Sequence, residues 1–275
     1  MKLQDRFWLW GQDAGSHHAA SANKSWKLPG VNKMGPAEGA AYLGIKNVCR
    51  VVMGGAPEPP FDAETEKLRF ADQVVWSAVG DASSGRYGDN HSDLDEVLRQ
   101  AAKYPNVTGA VLDDFFQHPD HNGGKVARHS LDSLRGMAER LHGFKARPLA
   151  LWVVWYKGGL DWPVGDYLGL CDVITYWNMW AAAKFKEIDD DFAKLVAKTP
   201  GKRRLAGCYL WNYGEGKPLT IAETRAQCEK YHGWIRDGSI EGVIFCSNCC
   251  ADLGLEAVAW ARDWIKEVGA EEVAD

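Results

Sequence analysis

The sequence predicts an α/β protein folded as a single (β/α)8 TIM barrel spanning residues 1–275. Three observations lead there. A short apolar, often β-branched run followed by a helix-like run recurs eight times, as strands buried on both faces and their crossover helices do. The 275 residues match the ~250 typical of one barrel of this kind. An open doubly wound sheet would carry a glycine-rich phosphate turn after its first strand, and the segment Gly11-Gln-Asp-Ala-Gly-Ser-His is not that turn.

The strands are expected at Arg6–Trp10, Asn47–Met53, Gln73–Ser77, Val107–Leu112, Pro148–Val154, Asp172–Tyr176, Leu205–Leu210 and Glu241–Phe245. Pro36 opens one helix, in keeping with proline's place in a first helical turn. Ser92, with Asp95 three residues on, reads as the cap of another. Ser130 precedes a helix whose Leu131, Leu134, Met137 and Leu141 form one apolar stripe. A last helix over Leu253–Val268 places Leu255, Val258, Ala259 and Trp264 at helical spacing.

Composition narrows the function. With 32 basic against 37 acidic residues, a formal charge of −5, the chain lacks the basic face that a nucleic acid or an anionic membrane requires. No run of 18 apolar residues offers a membrane span. The N-terminal Met-Lys-Leu-Gln-Asp-Arg-Phe-Trp has no apolar core of a secretory signal. Seven cysteines, an odd number, therefore read as reduced thiols of a cytoplasmic protein. No cofactor is expected. The 13 tryptophans are more than a core of this size needs. Because a buried indole N–H seeks a partner, several are expected to line a pocket.

A barrel of this kind carries its site at the C-terminal ends of its strands, and these ends are polar or aromatic while the strands before them are apolar. Asp13 and His17 follow the first strand. Trp76 ends the third, with Asp81 beyond it, and Asp113 and Asp114 follow the fourth. Trp155 and Tyr156 end the fifth, and Tyr176, Trp177 and Asn178 the sixth. Trp211, Asn212 and Glu215 follow the seventh, and Asn248 the eighth. Flat rings stack on the C–H faces of a sugar, and Asn, Asp and His pair with its hydroxyls. A phosphate ligand would instead call for glycine-rich amides and Arg. A small-molecule carbohydrate is the expected substrate.

Asp113-Asp114, closing the run Gly109-Ala-Val-Leu, is the sharpest motif. Two adjacent like charges raise one pKa, so that one carboxyl stays protonated as an acid while the other stays anionic. Glycosidic cleavage needs that division. Leu112-Asp113-Asp114-Phe115 resembles the strand-4 signature of the TIM-barrel N-acetyl-β-hexosaminidases that include O-GlcNAcases. Tyr176-Trp177-Asn178, Trp211-Asn212-Tyr213 and Gly242-Val-Ile-Phe-Cys-Ser-Asn248 are similar to later strand ends of such barrels. The resemblance implies that Asp113 orients and polarises a 2-acetamido group whose carbonyl oxygen is the nucleophile, with Asp114 the general acid/base. The sequence departs from the commonest retaining clan, which carries Glu after strand 4 and again at the end of strand 7. Here Glu215 lies four residues past Trp211 and is the candidate nucleophile or base across the pocket.

Two alternatives stand beside the hydrolase. His17, His18, Asp113, His118 and His121 have the chemistry to ligate a divalent metal for hydrolysis or sugar isomerisation. A non-catalytic sugar-binding barrel would keep the rings and dispense with the carboxylates. Cys246-x-x-Cys249-Cys250 lacks a second pair at zinc-knuckle spacing and reads as packing.

Overall fold

The computed structural model describes residues 1–19, 26–88, 90–121, 123–180 and 183–273. Eight strands, β1 Phe7–Gly11, β2 Asn47–Arg50, β3 Gln73–Val79, β4 Val107–Leu112, β5 Ala150–Tyr156, β6 Val173–Trp177, β7 Arg203–Tyr209 and β8 Gly242–Cys246, form a closed barrel in sequence order. Every neighbouring pair is parallel, and β1 closes on β8 with Phe7 opposite Val243. The helices are α1 Ser16–Ala19, α2 Pro36–Leu43, α3 Asp62–Lys67, α4 Leu94–Lys103, α5 Leu131–His142, α6 Gly165–Leu170, α7 Ile188–Lys198, α8 Ile221–Arg236 and α9 Glu256–Val268. Among the described residues no helix is long and apolar enough to cross a membrane.

The expected elements recur with shifted ends. Strand β2 stops at Arg50, not Met53, because Met53 pairs with Ala56 in a local turn. Strand β5 continues to Tyr156. Helix α4 starts at Leu94 with Asp93, not Ser92, at its cap. The Asp93 carboxylate is held by Arg86 and the Tyr87 hydroxyl, so no side chain caps the first turn. Ser130 caps α5 as expected, its hydroxyl accepting the Ser133 N–H at 3.1 Å. Helix α9 begins at Glu256, three residues later than expected.

Strand parity decides what enters the lumen, since successive side chains point to opposite faces. Trp8 meets Trp152 inside the barrel, ring centroids 4.8 Å apart. Trp10 meets Trp177 at 5.0 Å, two residues further along β1. Gly207 makes room for that second layer: a Cβ there would fall 2.0 Å from the Trp177 ring.

Candidate active site

A cavity of about 460 Å³ opens at the C-terminal ends of the strands. Its acids come from one side. Asp81 follows β3, and Asp113 and Asp114 follow β4. Tyr156 of β5 adjoins them, its hydroxyl near enough to the Asp114 carboxylate to favour the anion. The facing wall is aromatic, built from Trp10 of β1, Trp177 of β6, Tyr209 of β7, and beyond them His17, Trp26 and Tyr213.

The strand end itself produces the carboxylate pair. Asp113 continues the inter-strand ladder, its N–H donating to the Val79 carbonyl at 2.9 Å. Asp114 then turns into the left-handed region at φ 43°, where Asp is one of the few side chains tolerated. The Asp114 N–H donates back to Asp113 Oδ1 at 2.8 Å. On the cavity side, Asp114 Oδ2 accepts the Ala82 N–H at 2.9 Å.

Burial pushes the Asp113 carboxyl well above the usual carboxylate range, and the neighbouring charges of Asp114 and Asp81 push it further. Burial also raises Asp114, against the pull of the Ala82 N–H and the Tyr156 hydroxyl, with Asp81 again adding to the rise. Two carboxyls so close act as one titrating unit, which keeps a proton to higher pH than either would alone. The Tyr156 and Tyr209 phenols are likewise raised by burial and by these carboxylates, so both stay neutral hydroxyls.

Across the cavity, His17 Nδ1 lies 2.8 Å from the Tyr213 hydroxyl. Its ring meets Trp26 edge-on at 4.6 Å. Trp26 is fixed from behind, its carbonyl accepting the Trp211 indole N–H at 2.8 Å.

The structure thus brings Asp81, Asp113, Asp114, His17, Tyr156 and Trp177 into one cavity and leaves the other sequence candidates outside its lining. Parity explains three of them. Trp76, Trp155 and Tyr176 are fully buried on the helix-facing side of their strands. Trp76 stacks on Phe61 at 4.3 Å, and Trp155 donates its indole N–H to the Gly159 carbonyl at 3.1 Å.

Others brace the loops. Asn248 accepts the Gln12 N–H at 2.8 Å and donates to the Gln12 and Met34 carbonyls, tying the β8 exit to the β1 exit. Asn178 Oδ1 accepts the Trp180 N–H at 3.0 Å, and buried Trp211 pins Trp26. Asp13 pairs with the fully buried Arg50 guanidinium, which also contacts Glu64 at 3.1 Å. Glu215 is exposed. It accepts the Asn212 amide at 2.6 Å and pairs with Lys217 at 3.1 Å, and these two hold its carboxyl below the usual range.

Of the candidate metal ligands, His118 and His121 face one another on the β4–α5 loop with ring centroids 4.9 Å apart, outside the cavity lining. The side chain of His18 lies outside the described residues. Among the described residues no three His, Cys, Asp or Glu side chains converge on a common point. All seven cysteines are buried and unpaired.

Sequence reading missed Trp10, Trp26, Tyr209 and Tyr213 as wall residues. For Trp10 and Tyr209 a signal was present: counting alternate residues back from a strand end puts both on the lumen face. Trp26 carries none, because the Trp211 and Tyr213 that it meets lie far from it in sequence.

The class that the fold defines is a parallel (β/α)8 barrel, and several solved barrels similar to it are glycoside hydrolases. One is described as a putative alpha-L-fucosidase from Bacteroides thetaiotaomicron, with a TM-score of 0.60, 12% identity and 98% of each chain covered. A glycoside hydrolase family 5 enzyme from Prevotella bryantii has a TM-score of 0.58, 11% identity and the same coverage. The P. bryantii endo-beta-mannanase/endo-beta-glucanase has a TM-score of 0.57 and 12% identity, over 98% of this chain and 50% of that one. At these identities the likeness is one of fold. No family model and no curated protein matches the sequence.

Proposed function

We propose that the protein is a glycoside hydrolase in which Asp114 is the general acid/base and Asp113 its anionic partner. One observation carries this reading. The Asp113–Asp114 pair, buried enough to keep a proton, opens onto a cavity whose opposite wall is aromatic. The likeness of the fold to several glycoside hydrolases supports it.

The placement of the acids favours a substrate-assisted route over a two-carboxylate displacement. The described carboxylates of the lining all come from the β3 and β4 exits, so none faces the pair as a nucleophile. A 2-acetamido group on the sugar would supply that nucleophile. Its N–H, donated to Asp113, would favour the anionic form there and leave the pair's proton on Asp114. Asp114 then protonates the glycosidic oxygen as the acetamido carbonyl oxygen attacks the anomeric carbon and the C–O bond breaks. In the second half, the Asp114 carboxylate takes a proton from the water that opens the cyclic intermediate. Trp177 and Trp10 offer ring faces to the sugar, and His17 and Tyr213 offer hydroxyl partners. Seven unpaired thiols support a reducing, cytoplasmic setting.

The test is turnover of aryl glycosides, α and β, N-acetylated and not, by wild type and Asp114→Asn. Asp114→Asn is expected to lose at least about 100-fold in kcat, the usual worth of a positioned acid, while keeping the wild-type circular dichroism. Full activity in that variant removes Asp114 from the reaction. Equal turnover of sugars with and without the acetamido group removes the substrate-assisted route.

A further inference from the structure

The remaining acid of the cavity, Asp81, has no lone pair left for a substrate. Its Oδ1 accepts the Gly54 N–H at 2.9 Å and the Ser84 hydroxyl at 2.5 Å. Its Oδ2 accepts both the N–H and the hydroxyl of Ser83, at 3.1 and 2.5 Å. Four donors fill the acceptor sites that a carboxylate offers. The residue is 7% exposed, and the turn around it is clamped from outside. The Asp81 N–H reaches the Val52 carbonyl at 3.2 Å, Arg128 donates to the Gly80 carbonyl at 2.6 Å, and a Cβ on Gly80 would fall 2.6 Å from the Val52 carbonyl. Ala82, inside this turn, is the residue whose N–H meets Asp114.

We propose that Asp81 is a positioning residue: it fixes the turn that aims the Ala82 N–H at Asp114, and it holds a negative charge against the Asp113–Asp114 pair. The inference rests on the proposed role of that pair. The two actions oppose each other. The Ala82 N–H favours the Asp114 carboxylate, and the Asp81 charge favours its protonated form. Several other groups face the pair. They are Tyr156 from β5, Tyr209 from β7, the thiols of Cys49 from β2 and Cys246 from β8, and Arg128 from the segment before α5. Of these only Arg128 carries a charge at neutral pH, and it opposes Asp81.

Two variants separate the actions. Asp81→Asn removes the charge and keeps the shape and the acceptor for Gly54 and Ser84. The double variant Ser83→Ala/Ser84→Ala keeps the charge and loosens the turn. The pair's titration is followed by carboxyl 13C NMR, with no substrate present, alongside the pH dependence of kcat/KM. The titration is expected to move to lower pH in Asp81→Asn and to higher pH in the double variant, the alkaline limb of kcat/KM moving with it. In Asp81→Asn, KM is expected to stay within about twofold, since no substrate contact is removed. Titrations that stay put, or that move the same way in both variants, overturn the proposal, as does a raised KM with an unmoved titration. Should Asp81→Asn not fold, the double variant decides alone, by an upward displacement or none. Because NMR needs no turnover, a protein inactive on every glycoside counts against the hydrolase reading and leaves the role of Asp81 decided by the titration.

Discussion

Asp114 adopts a backbone conformation that β-carbons resist, and this makes the choice of its replacement matter. Asn shares the tolerance of Asp for the left-handed region. Asp114→Asn should therefore melt above Asp114→Ala by the equivalent of about 1 kcal/mol, a contrast that thermal melts resolve. Asp113 makes the complementary case. Its folded-state pKa is raised, so the stability it contributes is fully present below the ordinary carboxylate range and is lost as pH rises through the raised value. Asp113→Asn does not ionise. Its melting temperature should exceed that of wild type at neutral pH, and the gap should close below about pH 4. A gap that is constant from pH 3 to pH 8 would show that ionisation of Asp113 costs the fold nothing.

The strand ends show how neighbouring elements shape one wall. Trp177 of β6 lies over Gly207 of β7, where even a methyl group would strike the indole. The indole N–H is held by Thr175 Oγ1 at 2.8 Å. Gly207→Ala is expected to push the ring toward the cavity and raise KM with a smaller effect on kcat, at a stability cost of about 1–3 kcal/mol. Steady-state kinetics and a chemical melt read both. An unchanged KM would mean that the ring does not touch substrate. The strands themselves were legible in the sequence because an apolar β-branched run is a local signal, and all eight lie within a few residues of where the pattern put them. Which side chain of a strand end enters the lumen was not legible from adjacency. Tyr176 and Trp177 are neighbours in sequence and face opposite ways, as Trp155 and Tyr156 do. Asn248 and Trp211 looked like ligand contacts because polar and aromatic strand ends also serve to tie loops together, and composition does not separate the two uses.

Across the whole molecule the barrel places acids on its β3–β4 side and rings on its β1, β6 and β7 side, so the cavity is electrostatically lopsided. The hydrolase reading then fixes the sign of the pH dependence. Activity should fall as pH rises through the titration of the Asp113–Asp114 pair, because the proton donor is lost. It should also fall at low pH, when both carboxyls hold protons and no anion remains. A kcat/KM profile flat from pH 4 to pH 9 would contradict the assignment of acid/base work to the pair. The Asp-Asp motif announced this centre in the sequence. That no described carboxylate faces the pair did not show there, since Glu215 is close in sequence to the cavity and is drawn away by Lys217 and Asn212.

The indoles of Trp10 and Trp177, 5.0 Å apart and inclined at 62°, have a consequence for spectroscopy. Two such chromophores, fixed and non-parallel, couple their electronic transitions and give a circular dichroism signal whose sign and size follow their mutual angle. Most of the 13 tryptophans are buried in the core, and this buried pair also borders the cavity. A molecule that enters and tilts either ring would therefore alter the aromatic spectrum, so candidate sugars can be screened by light alone before any reaction has been found.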